Sequence, residues 1–291
     1  MLVLWQARIL GLGRDVVERP SMQNLIVRSG RADLAVSMAG EGDALVFLHA
    51  GVADRRMWWG QLSAFADSHT VIAYDRRGFG ETVCTAESYR NVRDLDLVLE
   101  AVGVEHAVLV GCSQGGRIAV DYALSYAERV SGLVLVAPAI SRAPEPETYP
   151  AKIQKLVDEI DKAERGEDID WLNRLEAHAW LDGPGEKEGR VGGTVRELFL
   201  DMNGMALRAG PAGQETGAVN ANVRFGELRM PIEFVSGALD FPHINERSRR
   251  LSHVASQARV SVMPGVAHLP SLEQPARFNT LLRRLLKKFD Q

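Results

Sequence analysis

The sequence predicts an α/β domain: a mostly parallel, eight-stranded sheet with helices on both faces, interrupted by one helical insertion. Three observations predict it. Short apolar runs of strand length alternate with stretches of helical spacing, as in a parallel sheet with crossover helices. Some runs, such as Ala44–His49 (ALVFLH), are continuously apolar, as strands buried on both faces require. A chain of 291 residues accommodates one large domain of this kind.

Each element follows from its local pattern. Residues 1–21 read as an N-terminal extension, because Met1–Leu12 is apolar only in patches, is interrupted by Arg8 and is too short to span a bilayer. Asn24–Ser29 and Asp33–Met38 form two strands around a turn at Gly30-Arg31. After the strand Ala44–His49, Met57, Leu62 and Phe65 share one face of a helix over Arg56–Ala66. Thr70–Tyr74 is a buried strand, and Val92–Val102 a helix with Leu95, Leu99 and Val102 on one stripe. The strand Ala107–Val110 leads into a helix over Gln114–Tyr126. Leu133–Val136, Ile232–Ser236 and Val260–Met263 complete the strands, with helices over Asn245–Ser252 and Ala276–Phe289.

Residues 141–226 break this alternation. They open on Pro144-Glu145-Pro146, carry helical patterns at Lys152–Ala163, Asp170–Ala179 and Val195–Leu207, and contain the glycine-rich stretch Gly183–Gly193. No buried strand is evident there. The expected organisation is a core of residues 22–140 and 227–291 with a helical cap, 141–226, over the C-terminal edge of the sheet, where open α/β sheets place ligands.

Composition narrows the function classes. The net charge is −4 and no basic run exceeds a pair, so neither a nucleic-acid partner nor an anionic membrane surface is expected. Cys84 and Cys112 fall in neither a CxxC motif nor a metal-ligand spacing. Reduced thiols in a cytoplasmic protein are the simplest expectation. Oligomeric state has no signature in the chain.

The chemistry centres on Gly111-Cys112-Ser113-Gln114-Gly115, a Gly-x-Ser-x-Gly motif placed between a strand and a helix, the context it requires. Ser113 is the candidate nucleophile, on a strained turn whose neighbours must be small; Gly111, Gly115 and Gly116 meet that demand. Cys112 occupies the position before the serine and is expected to be a packing residue. A serine hydroxyl needs an adjacent base. In the order Ser…Asp…His, Asp240 and His268 each stand just beyond a strand's C-terminal end, on the same edge as Ser113. His268 is the candidate general base and Asp240 the acid that fixes its tautomer. His69 and His106 precede strands and lie at the wrong edge, while His178, His243 and His253 fall in less suitable places. The amide of Gln114, opening a helix, is one expected oxyanion donor. The second comes from the loop His49-Ala50-Gly51-Val52, with Gly51 preferred over Val52 and His49 bracing the turn.

These residues resemble the α/β-hydrolase superfamily, particularly its capped serine esterases and enol-lactonase-like members. The matching blocks are Leu48-His49-Ala50-Gly51, Asp75-Arg76-Arg77-Gly78-Phe79-Gly80, Gly111–Gly116, Gly237–Asp240, Gly265–Pro270, and Glu273-Gln274-Pro275 with Phe278. Two positions depart from the pattern. Ala50 replaces the usual glycine after the histidine, and Thr82 replaces the usual serine, a hydroxyl for a hydroxyl. The resemblance implies hydrolysis of a small-molecule carboxylic ester or lactone through an acyl-enzyme on Ser113, with no metal or organic cofactor. A serine in place of a nucleophilic aspartate argues against dehalogenase or epoxide-hydrolase chemistry. The same triad also serves carbon–carbon or amide hydrolysis and a perhydrolase side activity, and a hydrolase-derived ligand receptor with little turnover shares the fold.

Overall fold

A computed structural model describes residues 21–217 and 219–289; the extension expected over residues 1–21 lies outside them apart from Ser21. Eight strands lie side by side in the order β1 (Gln23–Ser29), β2 (Ala32–Ala39), β4 (Thr70–Tyr74), β3 (Ala44–Leu48), β7 (Ala107–Cys112), β8 (Val130–Val136), β10 (Ile232–Gly237) and β11 (Ala258–Met263). β1 pairs antiparallel with β2, and β2 with β4. Every later pair is parallel. A two-residue strand, β5 (Val83–Cys84), adds to β2. Two further short strands, β6 (Glu87–Tyr89) and β9 (Gly213–Glu215), pair with each other away from the main sheet.

The continuous apolar runs are explained by a sheet covered on both sides. In β3, Val46 and Leu48 face one cluster while Leu45 and Phe47 face the other, and all four are buried. The first cluster is closed by Leu95 and Leu99 of α2 (Asn91–Ala101) and by Ile118 and Tyr122 of α3 (Gln114–Ser125). The second is closed by Leu62 and Phe65 of α1 (Trp59–Phe65) and by Phe278 and Leu282 of α8 (Pro275–Leu286). Each such side chain contributes roughly 1.5–3 kcal/mol on leaving water. Trp58 packs against Phe47 and Phe278, between the sheet and α8.

The insertion contributes α4 (Ala151–Arg165), α5 (Ile169–Glu176) and α6 (Gly193–Arg208). Its apolar faces, with Ile153, Leu156, Leu172 and Leu175, close over Phe241 and Ile244 at the start of α7 (Pro242–Ser252). The insertion therefore sits against the loop that follows β10. Against the expected spans, α7 begins three residues earlier than Asn245, α8 ends three residues before Phe289, and two segments differ in kind. The segment expected as Arg56–Ala66 splits into a 3₁₀ turn, Arg55–Trp58, and α1, because the Asp54 carboxylate caps the turn at Arg56 N, 2.9 Å away. The segment expected as Asp170–Ala179 leaves α-geometry after Glu176 and widens into a π-helical turn over Ala177–Asp182. That turn ends at Gly183 (φ 99°), where a Cβ would stand 2.6 Å from Leu239 O. Among the described residues no helix is long and apolar enough to cross a membrane.

Candidate active site

β7 passes into α3 through Ser113, which holds φ 52° and ψ −114°, a conformation that residues with a Cβ avoid. Backbone pressed on backbone keeps it there. A Cβ on Gly111 would lie 2.5 Å from Gly115 O, one on Gly115 2.1 Å from Leu48 O, and one on Gly116 2.7 Å from Pro138 Cβ. The Ser113 amide donates to Val136 O at 2.9 Å, and its carbonyl accepts from Ala139 N at 3.0 Å and Arg117 N at 3.1 Å. Cys112 points into the core on the α1 and α8 side, where burial pushes its thiol pKa up. It is a packing residue, as expected.

Asp240 and His268 are brought together. Strands β10 and β11 run in parallel register from Ile232↔Ala258 to Gly237↔Met263, so the loops that follow them emerge side by side. His268 Nδ1 lies 2.9 Å from Asp240 Oδ2, and both side chains are almost wholly buried. The other Asp240 oxygen accepts from Phe241 N at 2.7 Å. With Nδ1–H turned to a carboxylate, Nε2 is the ring nitrogen free to accept a proton. The loop also abuts the nucleophile strand, since Cys112 Sγ is 3.8 Å from His268 O. A direct hydrogen bond from Ser113 Oγ to His268 is not among the contacts of the described residues; such bonds often tighten only when substrate is bound.

The loop after β3 meets the head of α3. A Cβ on Gly51 would lie 3.1 Å from Gln114 Cγ, so the two residues expected to supply the amide donors are neighbours. The Ala50 carbonyl is held from behind by His49 Nδ1 at 2.8 Å and Arg76 Nη2 at 3.1 Å. His49 Nε2 in turn accepts from Arg76 N at 3.0 Å, which fixes the neutral tautomer. Burial, helped by the adjacent Arg76 charge, holds the His49 pKa well below its usual range. His49 braces the turn, as expected. Arg76 is buried with its guanidinium over the Phe79 ring, and burial pulls its pKa down to about 10. Thr82 is structural too: its hydroxyl donates to Asp75 O at 2.6 Å and accepts from Ala35 N at 3.0 Å.

Two features escaped the sequence. Trp180, an aromatic residue of the insertion, lies with its ring centroid 4.7 Å from that of His268 and 4.8 Å from that of Phe241. Trp171, also in the insertion, lies beside Lys162, away from His268. Glu273 is buried beneath the His268 loop, where its carboxylate accepts from Ala267 N at 2.7 Å and from Arg190 Nη2 at 2.6 Å. Burial pushes its pKa up to about 7, against the lowering effect of Arg190. Its place in Glu273-Gln274-Pro275 was a signal, but its partner lies 83 residues upstream. No group of three His, Cys, Asp or Glu side chains able to hold a metal occurs among the described residues.

Comparison with known proteins agrees with this fold. A family model described as alpha/beta hydrolase fold matches residues 43–275. The 3-oxoadipate enol-lactonase 2 of Acinetobacter baylyi is 24% identical over 266 residues, 89% of this chain and 95% of that protein. A 2-hydroxy-6-oxononadienedioate/2-hydroxy-6-oxononatrienedioate hydrolase of Paraburkholderia phymatum is 40% identical over 121 residues, 38% of this chain and 42% of its own length. Among solved structures, a thermophilic esterase from Thermogutta terrifontis superposes with a TM-score of 0.73 at 24% identity, covering 93% of this chain and all of that one. An N-acyl homoserine lactone degrading enzyme superposes with a TM-score of 0.69 at 25% identity, covering 89% and 98%.

Proposed function

The chain belongs to the α/β-hydrolase fold family, and from that premise we propose that it is a serine hydrolase cleaving a small carboxylic ester or lactone. The observation that carries this proposal is the buried Asp240–His268 pair, 2.9 Å apart, emerging beside the strained turn that presents Ser113. In the proposed reaction His268 Nε2 takes the Ser113 proton as Oγ attacks the carbonyl carbon. The imidazolium, stabilised by Asp240, then protonates the leaving oxygen, and water releases the acyl group by the same route. Gln114 N–H and Gly51 N–H hold the developing oxyanion. Gly51 is favoured over Val52 because His49 and Arg76 both grip the Ala50 carbonyl. In a trans peptide the Gly51 N–H then points the opposite way, on the side of that group away from both. Residues 22–140 and 227–291 form the proposed core, and 141–226 the cap that shapes the acyl pocket.

A lactone-cleaving relative and two ester- or lactone-cleaving structural neighbours support the bond class. A second reading keeps the same residues but breaks a carbon–carbon bond. It is favoured by the 40% match to a hydrolase whose named substrate is an oxo dicarboxylate. The deciding experiment is hydrolysis of a p-nitrophenyl ester by the parent chain and by Ser113→Ala. A loss in kcat of about 10⁶-fold is expected, and retained turnover would remove Ser113 as nucleophile. A panel of esters, lactones, anilides and β-diketones then ranks the bond cleaved.

A further inference from the structure

Arg190 lies on the loop between the π-helical turn and α6, outside the residues assigned to the reaction. Its contacts sort into two destinations. Nε donates to Asp182 O at 2.5 Å and Nη2 to Leu181 O at 2.9 Å, gripping the turn that carries Trp180. Nη2 also donates to Glu273 Oε2 at 2.6 Å and Nη1 to Gly265 O at 3.1 Å, gripping the segment that carries His268. Glu273 passes the link inward, because its other oxygen holds the Ala267 amide, one residue before His268. The loop bearing Arg190 is itself anchored. The Asp182 carboxylate accepts from Gly189 N and Val191 N, each at 2.8 Å, and from Arg196 Nη1 at 2.7 Å.

We propose that Arg190 is a positioning residue for the base. It joins the His268 loop and the Trp180 wall into one unit, so that the seating of the insertion on the core decides whether the imidazole is aligned with Ser113. The inference rests on the proposed function, in which His268 is that base. A guanidinium suits the task because its planar fork presents five donors, here shared among three carbonyls and a carboxylate. A lysine ammonium keeps the charge but cannot span those acceptors. The charge matters as well. Glu273 is faced by Arg190 from the insertion, by Asp240 from the loop after β10 and by the Ala267 amide of its own segment. Without Arg190, burial and Asp240 favour the protonated carboxyl, and the hold on Ala267 weakens.

The test uses the full chain, a p-nitrophenyl ester, kcat and KM from pH 5 to 10, and melting temperature. The variants are Arg190→Gln, Arg190→Lys and Glu273→Gln, with Ser113→Ala and His268→Ala as controls. Arg190→Gln is expected to lower kcat about ten- to hundredfold, with KM held within about threefold. The acid limb of its kcat profile should move to higher pH, since Glu273, without its ion-pair partner, then ionises later. Arg190→Lys should recover part of kcat, and Glu273→Gln should fall in the same direction as Arg190→Gln. If Arg190→Gln does not fold, Glu273→Gln carries the decision. An unchanged kcat and pH profile in the folded variants, or a change confined to KM, overturns the inference. Activity surviving in Ser113→Ala or His268→Ala overturns the proposed function instead, so the two failures are distinguishable.

Discussion

The two halves of the site sit on one edge of one sheet but are held by opposite means. Around Ser113, main chain presses on main chain, and the glycines at 111 and 115 leave no space for even a methyl group. Around His268, the loop is held by charged side chains: Asp240 on the ring, Glu273 on the preceding amide, and Arg190 reaching in from the insertion. The nucleophile half is thus made rigid by local steric exclusion, whereas the base half is assembled from groups far apart in the chain. Rigidity suits a nucleophile that must stay in a costly backbone conformation. A base must swing a proton between two partners, and polar restraints define its position without freezing it.

The contrast breaks or sharpens at three positions. Asp240→Asn should have the largest effect, a fall in kcat of about 10⁴-fold through the wrong imidazole tautomer, with little change in melting temperature. Steady-state kinetics beside a thermal melt check it, and a small loss would mean that packing alone orients the ring. Gly115→Ala should act on the other half in the other way. Its Cβ would meet Leu48 O at 2.1 Å and His49 O at 2.8 Å, so unfolding in urea should register a loss of about 3 kcal/mol. The smallest effect is expected outside both halves. Thr82→Val removes the hydrogen bonds to Asp75 O and from Ala35 N and should cost about 1–2 kcal/mol of stability, leaving kcat as it was.

The contrast also explains what was legible in the sequence. The central strands, such as β3, β8 and β10, show as apolar runs because burial on two faces leaves no polar alternative, whereas β1 and β11 at the sheet's margins carry polar residues on their exposed positions. The elbow shows because close approach demands glycine at fixed offsets from Ser113. The order of Asp240 and His268 shows because each follows a strand after a short loop. The two- and three-residue strands β5, β6 and β9 did not show, being too short for any periodicity to register. The π-helical turn was hidden for a related reason: Ala177–Asp182 has ordinary helix-forming residues, and the turn ends at Gly183, where a Cβ would crowd Leu239 O, a contact made only in the folded chain. Arg190 and Glu273 were hidden more deeply. Arg190 carries no local pattern of its own, the block Glu273-Gln274-Pro275 marks Glu273 but not its partner, and only the folded chain brings the two together.

The parallel rungs joining Ile232–Gly237 to Ala258–Met263 carry one more implication. The spacing between acid and base is dictated by neighbouring rungs, not by the stretch of chain that travels between them. The exposed turn at 253–254, at the far end of that excursion and ahead of the buried Ala255, can therefore take an insertion without disturbing the pair. Such a crossover is a natural attachment point for an added tag or module, because the reacting groups are indexed to the ladder and not to the route taken around it.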